Sequence, residues 1–224
     1  MASQDDVREN AQKKLFDLSN FSESGRGNVY TPDGTTTVEG QTFTFELKSK
    51  PQKKRAWNKK KQKYVISNVS SVSTARGFGA KKVDEWEEQV DIFLFSEFSG
   101  IDFDGTFKEH IAATYDDIFP IIEEKVLTPY NEGRAPRHNS DGYFGMKEYE
   151  EKILPILERM MTQEDVTRFT HTMEVGNALN DPKFPWKKIK EVGTTISNKE
   201  DLEAYCKDLL NKGYTPKGTD TPPV

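Results

Sequence analysis

The most regular pattern in the chain is a strict alternation of polar and apolar residues from Thr42 to Lys48. The apolar positions are Phe43, Phe45 and Leu47, and the polar positions between and around them are Thr42, Thr44, Glu46 and Lys48. A period of two residues is typical of a strand that buries one face and presents a polar face. The pattern therefore predicts a strand on which Glu46 and Lys48 share the polar face.

The residues before this strand predict a hairpin. Residues 35–38 are rich in Thr and Val, and Glu39-Gly40 separates them from the strand, which favours a two-residue loop. In that register Asp33 lies opposite Glu46, and directly opposed side chains have Cβ atoms about 4.5–5.5 Å apart. Two carboxylates at that distance favour a divalent metal between them. The alternative is a surface hairpin with an accidental Glu-x-Lys string.

Hydrophobic periodicity predicts the remaining elements of the first half. Val7, Ala11, Leu15 and Leu18 lie at helical spacing and predict an amphipathic helix over residues 5–18. A strand at residues 64–66, a helix over residues 77–89 and a nearly continuous apolar strand over residues 90–98 follow. This order predicts an α/β fold, an α+β mixed sheet flanked by helices.

The second half has a helical pattern. Apolar spacing predicts helices over residues 107–127 and 146–161, and capping boxes at Thr162/Asp165 and Ser197/Glu200 predict two more, the last ending at Gly213. We therefore expect a core over residues 1–130, a helical subdomain for recognition or dimerisation over residues 131–212, and a disordered tail over residues 213–224.

Basic charge is concentrated directly after Glu46. Between residues 48 and 63 there are nine Lys or Arg and no acid, in a chain whose net charge is −5. A focused basic patch suits contact with a phosphate backbone, and a solvated, flexible loop is the alternative. Trp57 and Tyr64 are placed either to stack on bases or to pack. The candidate DNA contacts are Lys50, Lys53, Lys54, Arg55, Lys59, Lys60, Lys61 and Lys63.

Composition narrows the class of protein. The mean hydropathy is −0.79, no apolar run approaches membrane-spanning length, and the polar first residues do not resemble a signal peptide. Cys206 is the only cysteine, which excludes intramolecular disulfides and suits a reducing cytoplasm. His110, His138 and His171 lack the spacing of metal ligands. We expect a cytoplasmic protein with no membrane partner.

Three segments together resemble a known family. They are the stretch from Val38-Glu39-Gly40-Gln41 through Phe45-Glu46-Leu47-Lys48-Ser49, the segment Ser73-Thr74-Ala75-Arg76-Gly77-Phe78, and residues 90–98, and Thr31-Pro32-Asp33 precedes the first of them. They resemble the catalytic core of PD-(D/E)xK superfamily nucleases, most closely the compact dimeric type II restriction endonucleases. The resemblance covers residues 28–98. Phage-type junction resolvases share the Thr-Pro-Asp and Glu-x-Lys strings.

The resemblance implies roles for individual residues. Asp33 and Glu46 would ligate Mg²⁺, and Lys48 would orient or help to deprotonate the attacking water. Glu9 would match the extra acidic residue of some members, with Glu23 as the competing candidate. Arg76 lies where base readout occurs in such enzymes, and Arg suits bidentate contact with guanine. A phosphate contact or a helix-start salt bridge is the other interpretation of Arg76.

Three functions follow as hypotheses. The first is a Mg²⁺-dependent, sequence-specific endonuclease for double-stranded DNA, working as a homodimer because a palindrome has two-fold symmetry. The second is a structure-specific nuclease that resolves junctions or processes ends. The third is a DNA-binding protein without catalysis, in which the Glu-x-Lys string is incidental.

Overall fold

The fold is a mixed sheet flanked by helices, seen in a computed structural model that describes residues 4–20, 31–58, 60–73, 80–128, 162 and 183–220. The strands are β1 (Gly34–Val38), β2 (Gln41–Pro51), β3 (Lys53–Asn58), β4 (Lys63–Asn68), β5 (Ser71–Ser73), β6 (Ile92–Phe98), β7 (Phe107–Thr114), β8 (Lys183–Pro185) and β9 (Thr194–Ile196). The helices are α1 (Gln4–Phe16), α2 (Ala80–Gln89), α3 (Tyr115–Ile122), α4 (Trp186–Val192) and α5 (Lys199–Asn211), with a π-helical turn at Glu123–Leu127 and a 3₁₀ turn at Lys217–Asp220.

The chain divides into two compact units. The first comprises Met1–Val72, Glu85–Ile118 and Pro185–Val224, and the second comprises Ser73–Asp84 and Phe119–Phe184. The first unit contains the five-stranded sheet, whose strand order is β1-β2-β6-β7-β9. The predicted mixed sheet flanked by helices is therefore confirmed. The boundary proposed at residue 131 falls outside the described residues and stays a prediction.

The hairpin β1–β2 has the predicted register. Thr35 pairs with Thr44 and Val38 with Gln41, and Glu39 and Gly40 form the two-residue turn with φ of 52° and 78°. Positive φ at both loop positions is the backbone of a type I′ turn, which matches the right-handed twist of the strands. β2 then pairs in parallel with β6, and β6 in antiparallel with β7.

One core packs against the apolar face of β2. Its buried residues are Phe16, Leu18, Val38, Phe43, Phe45, Leu47, Ile92, Leu94, Ala112, Ile196, Leu202 and Cys206. All seven residues of β6 are buried, as expected for a central strand covered on both faces. On β6, Phe93 pairs with Glu46 of β2, and its ring centroid lies 4.9 Å from that of Trp86 and 5.8 Å from that of Phe95.

Two predictions for helices are wrong. Helix α1 forms, but it buries Gln12 and Phe16, whereas Val7 and Leu15 are 50% and 41% exposed. Residues 107–114 form strand β7 rather than the start of a helix, because they complete the sheet beside β6. The helix begins only at Tyr115, where Thr114 Oγ1 donates to Asp117 Oδ2 at 2.7 Å and accepts from Asp117 N at 3.2 Å.

The C-terminal region also differs from expectation. Asn198, not Ser197, caps α5 by accepting from Asp201 N at 2.9 Å, and Gly213, at φ 86°, follows the helix end as predicted. The disordered tail is wrong for residues 214–220, because Tyr214 Oη and Lys217 N donate to Asp91 Oδ1 at 3.1 and 2.8 Å. The helix predicted at residues 146–161 lies outside the described residues. The described part, residues 183–220, contains strands as well as helices.

Among the residues that the structure describes, no helix is long and apolar enough to cross a membrane.

Candidate active site

The polar face of β2 brings Glu46 and Lys48 into direct contact. Lys48 Nζ lies 2.6 Å from Glu46 Oε1, and the two side chains are 12% and 3% exposed. Residues two apart on a strand point to the same face, so the alternation seen in the sequence produces this pair. A cation and an anion are therefore held together with little access to water.

Asp33, the residue directly before β1, also lies next to this pair. Its Oδ2 lies 3.8 Å from Lys48 Nζ and accepts a hydrogen bond from Leu47 N at 2.7 Å. Because the β1–β2 ladder ends at Gly34 and Phe45, the Leu47 N–H has no partner on β1. The Asp33 carboxylate satisfies it, and this hydrogen bond fixes the carboxylate beside Glu46.

The Leu47 carbonyl oxygen also faces this cluster. It accepts a hydrogen bond from Lys48 Nζ at 3.1 Å. Three oxygens from Glu46, Leu47 and Asp33 therefore lie within 3.8 Å of one ammonium nitrogen. The sequence predicted the two carboxylates, and the backbone oxygen is an addition that only the strand geometry reveals.

Glu9 on α1 is a further acidic residue of the cluster. Burial and, after it, the charge of Asp33 raise the pKa of Glu9 to about 7, against the opposing effect of Lys48. The competing candidate, Glu23, lies outside the described residues. Of the two, Glu9 is therefore the residue that can be placed near Asp33 and Lys48.

Gln12 positions the helix that carries Glu9, and sequence reasoning missed it. Its Nε2 donates to Ser96 Oγ at 2.7 Å and to Leu94 O at 3.2 Å, both on β6. Gln12 is fully buried, one helical turn after Glu9. A lone Gln on the buried side of a helix is a weak signal, and the apolar spacing of Val7 and Leu15 pointed to a different face.

The charges in the cluster oppose one another. Burial raises the pKa of Asp33, and the neighbouring charge of Glu46 raises it further, while Lys48 lowers it. For Lys48, burial acts to lower the pKa, but Glu46 and Asp33 together raise it above its ordinary value. The carboxylates therefore depend on a positive charge between them, which Lys48 provides.

The oxygens of this cluster are of the kinds that bind Mg²⁺, but they surround an ammonium group. Across the described parts of the chain, no group of three or more His, Cys, Asp or Glu side chains is arranged to hold a metal ion. The two carboxylates and the Leu47 carbonyl instead converge on the Lys48 ammonium. Hard oxygens of these two kinds are the ligands that Mg²⁺ takes in proteins. The donor chemistry therefore fits the ion, with Lys48 as the cation now among the oxygens.

The basic segment forms an exposed antiparallel ribbon, β3–β4, rather than a loop. Lys53 pairs with Asn68, and Asn58 with Lys63. Six of the predicted DNA contacts are exposed on this ribbon: Lys53, Lys54, Arg55, Lys60, Lys61 and Lys63. Lys59 and Arg76 lie outside the described residues, so their roles stay predictions.

Lys50 does not belong to this exposed set. It is 2% exposed, its Nζ is paired with Glu97 Oε1, and it donates to Val69 O at 3.0 Å. Gln52 Nε2 donates to the second Glu97 oxygen at 3.1 Å. The prediction of Lys50 as a DNA contact is therefore wrong in this structure, because the strand alternation turns its side chain into a buried ion pair.

Comparison with known proteins adds no family assignment. No protein-family model matches the chain, and no curated protein sequence matches it significantly. The fold and site therefore define the class only as a mixed α/β protein that has a carboxylate–lysine cluster with little access to water and an exposed basic ribbon.

Proposed function

We propose that the chain is a Mg²⁺-dependent DNA endonuclease with a restriction-endonuclease-like PD-(D/E)xK core. The observation that carries the proposal is the convergence of Asp33 Oδ2, Glu46 Oε1 and the Leu47 carbonyl on Lys48 Nζ. Hydrolysis of a phosphodiester needs oxygen ligands for a metal and a cation close to the phosphate. This cluster brings both kinds of group together on the polar face of β2.

Each residue has a defined part in the proposed reaction. Asp33 and Glu46 would hold Mg²⁺, with the Leu47 carbonyl and Glu9 as further oxygen donors. When bound, Mg²⁺ supplies positive charge that stabilises the developing charge on the phosphate and makes water more acidic. Lys48 would orient the attacking water and offset charge on the scissile phosphate. Leu47 N would keep Asp33 in place through its hydrogen bond.

The ribbon supports DNA as the substrate. Its exposed Lys and Arg side chains lie in the same compact unit as the cluster, and contacts from such side chains to phosphates give affinity without sequence preference. Sequence-specific cleavage of both strands by a homodimer in the cytoplasm is the first form of this proposal. Arg76 would supply base readout.

A structure-specific nuclease is the second candidate, and one observation favours it. Trp57 and Tyr64 are 49% and 57% exposed on the ribbon. Aromatic rings stack on bases that have left the duplex, as they do in junctions, flaps and ends. A protein that binds DNA without cleaving it is the remaining alternative, and the experiment below separates all three.

The test is cleavage of plasmid and phage DNA with Mg²⁺, beside an EDTA control. Lys48→Ala and Glu46→Ala are expected to lose cleavage and to keep DNA binding within about tenfold, because the ribbon is intact. Sharp Mg²⁺-dependent fragments support the sequence-specific form, and cleavage of branched DNA alone supports the structure-specific form. Full turnover by the Glu46 variant, or salt-sensitive binding with no cleavage of any DNA, contradicts the proposed site.

A further inference from the structure

The β3–β4 ribbon presents an aromatic face to solvent. In its register Arg55 pairs with Ile66 and Trp57 with Tyr64, and alternation places these four side chains on one face. Trp57, Tyr64 and Ile66 are 49%, 57% and 62% exposed. Large apolar side chains grouped on an exposed face commonly mark an interaction site.

The centre of the opposite face of the ribbon is partly covered, whereas Lys54, Lys63 and Ser67 on that face are exposed. Ala56 and Val65, which pair across the two strands, are half-buried. The small side chains thus lie on the covered side, and the large rings lie on the open side. This distribution is the reverse of what packing a hairpin on its own domain requires, so the aromatic face is available to a partner.

Charge identifies the chemistry of that partner. Residues 53–68 contain seven Lys or Arg and no acidic residue, in a chain of net charge −5. The Arg55 guanidinium lies 4.6 Å from the centroid of the Tyr64 ring, and the rings of Trp57 and Tyr64 are 5.2 Å apart in an edge-to-face arrangement. A polyanion that also carries aromatic groups complements this surface, and nucleic acid is such a partner.

We propose that the face formed by Arg55, Trp57, Tyr64 and Ile66 stacks on unpaired nucleobases of DNA. The inference takes DNA binding from the proposed function and adds a substrate class, DNA with single-stranded or unstacked nucleotides. In an intact duplex the base faces are covered by their neighbours, and the grooves present hydrogen-bonding edges. Three of the four side chains have ring or aliphatic surfaces, which suit base faces rather than edges.

Tryptophan fluorescence gives a direct readout. Of the three tryptophans, Trp86 and Trp186 are 0% and 9% exposed, whereas Trp57 is 49% exposed. The full chain in EDTA, where Mg²⁺-dependent cleavage does not occur, is titrated with a 20-nucleotide oligothymidylate and with a blunt 20-base-pair duplex. Fluorescence anisotropy of labelled DNA gives the affinity, and quenching of the intrinsic fluorescence reports stacking on Trp57.

The expected result is at least tenfold tighter binding of the single strand, with quenching. Trp57→Ala with Tyr64→Ala should weaken single-strand binding by about tenfold or more, and change duplex binding by less than about threefold. Ser67→Ala is the matched control, because it truncates an exposed side chain on the opposite face of the same ribbon. Trp57→Phe should keep the affinity and lose the quenching.

Two outcomes overturn the inference. If the double variant loses equal affinity for single strand and duplex, the rings have a structural role or contact a duplex groove. If the double variant keeps its preference for the single strand, the single-strand binding site lies elsewhere on the protein. The nuclease proposal is judged separately, by cleavage in Mg²⁺ with Lys48→Ala. Stacking without cleavage supports the stacking inference and contradicts the nuclease proposal. Cleavage without stacking supports the nuclease proposal and contradicts the stacking inference.

Discussion

Lys48 Nζ and Glu46 Oε1 form a 2.6 Å ion pair on the polar face of β2, with both side chains largely buried. The two residues are held on one face by the strand itself, and the Asp33 carboxylate completes the group at 3.8 Å from Lys48 Nζ. The ammonium therefore has a structural effect besides its proposed catalytic one, because it compensates the buried carboxylate of Glu46 and the half-buried carboxylate of Asp33.

Lys48→Met is expected to destabilise the protein. The substitution leaves the buried Glu46 carboxylate without its cation, and loss of one partner of a buried pair costs about 3 kcal/mol. The double variant Lys48→Met with Glu46→Gln should be less destabilised than the single variant, because the uncompensated charge is removed as well. Urea unfolding at neutral pH in EDTA measures both, and equal stabilities of wild type and single variant would contradict the pair.

Mg²⁺ should stabilise the folded protein in the absence of DNA. A ligand that binds only the folded state raises the melting temperature with its concentration, and the ionised carboxylates are the expected donors. Glu46→Gln should abolish this shift. Asp33→Asn is a matched variant, since an amide oxygen can still accept the hydrogen bond from Leu47 N. The melting temperature is measured at increasing concentrations of Mg²⁺ and, in a parallel series, of Ca²⁺. A melting temperature that does not change with Mg²⁺ would contradict the proposal that these oxygens bind the ion.

Strand periodicity made the carboxylate–lysine pair predictable. Alternation from Thr42 to Lys48 and the Glu39-Gly40 turn fixed both the face and the register, and the pairing of Val38 with Gln41 bears this out. These signals are local, because they depend on backbone geometry within a few residues. The approach of Asp33 is also local, although its hydrogen bond to Leu47 N lies just beyond the ladder.

Features set by long-range packing were not predictable in the same way. Helix α1 has apolar residues on two faces, and only the position of β6 decides that Gln12 and Phe16 turn inward. Residues 107–114 have an apolar spacing that suits either period, and the open edge of β6 makes them a strand. The signal that was available is Thr114 with Asp117, a capping pair that marks the true helix start.

The buried Lys50–Glu97 pair allows a lysine with a structural role to be distinguished from a lysine that binds DNA. Lys50→Ala should cost about 3–5 kcal/mol of unfolding free energy, because Glu97 is left buried and unpaired. Lys53→Ala removes an exposed lysine of the ribbon and should leave stability within about 0.5 kcal/mol, while it reduces the salt dependence of DNA binding by about one phosphate contact. Chemical unfolding and binding measured at several salt concentrations distinguish the two. A stable Lys50 variant with a reduced salt slope would reverse the assignment.

His110 should make the stability depend on mildly acidic pH. It lies against Phe16 and Phe107, with ring centroids 4.9 and 5.2 Å away, and its Nδ1 is 2.7 Å from Ser96 Oγ. Burial lowers the pKa of His110 to about 4 from an ordinary 6.5, although the nearby charge of Glu109 acts to raise it. The neutral ring therefore stabilises the folded state above about pH 6.5, and this contribution is lost as the pH falls toward 4.

His110→Gln is the variant that tests this, since it keeps a polar side chain opposite Ser96. The wild type should lose stability relative to the variant by up to about 1.4 kcal/mol per pH unit between these two pKa values. Thermal unfolding at pH 4.5, 5.5, 6.5 and 7.5 gives the stability of each protein. Subtracting the stability of the variant from that of the wild type removes the effect of the carboxylates that titrate in both. Above pH 7 the difference should be constant. Parallel curves across the whole range would show that His110 already carries its ordinary pKa in the folded protein.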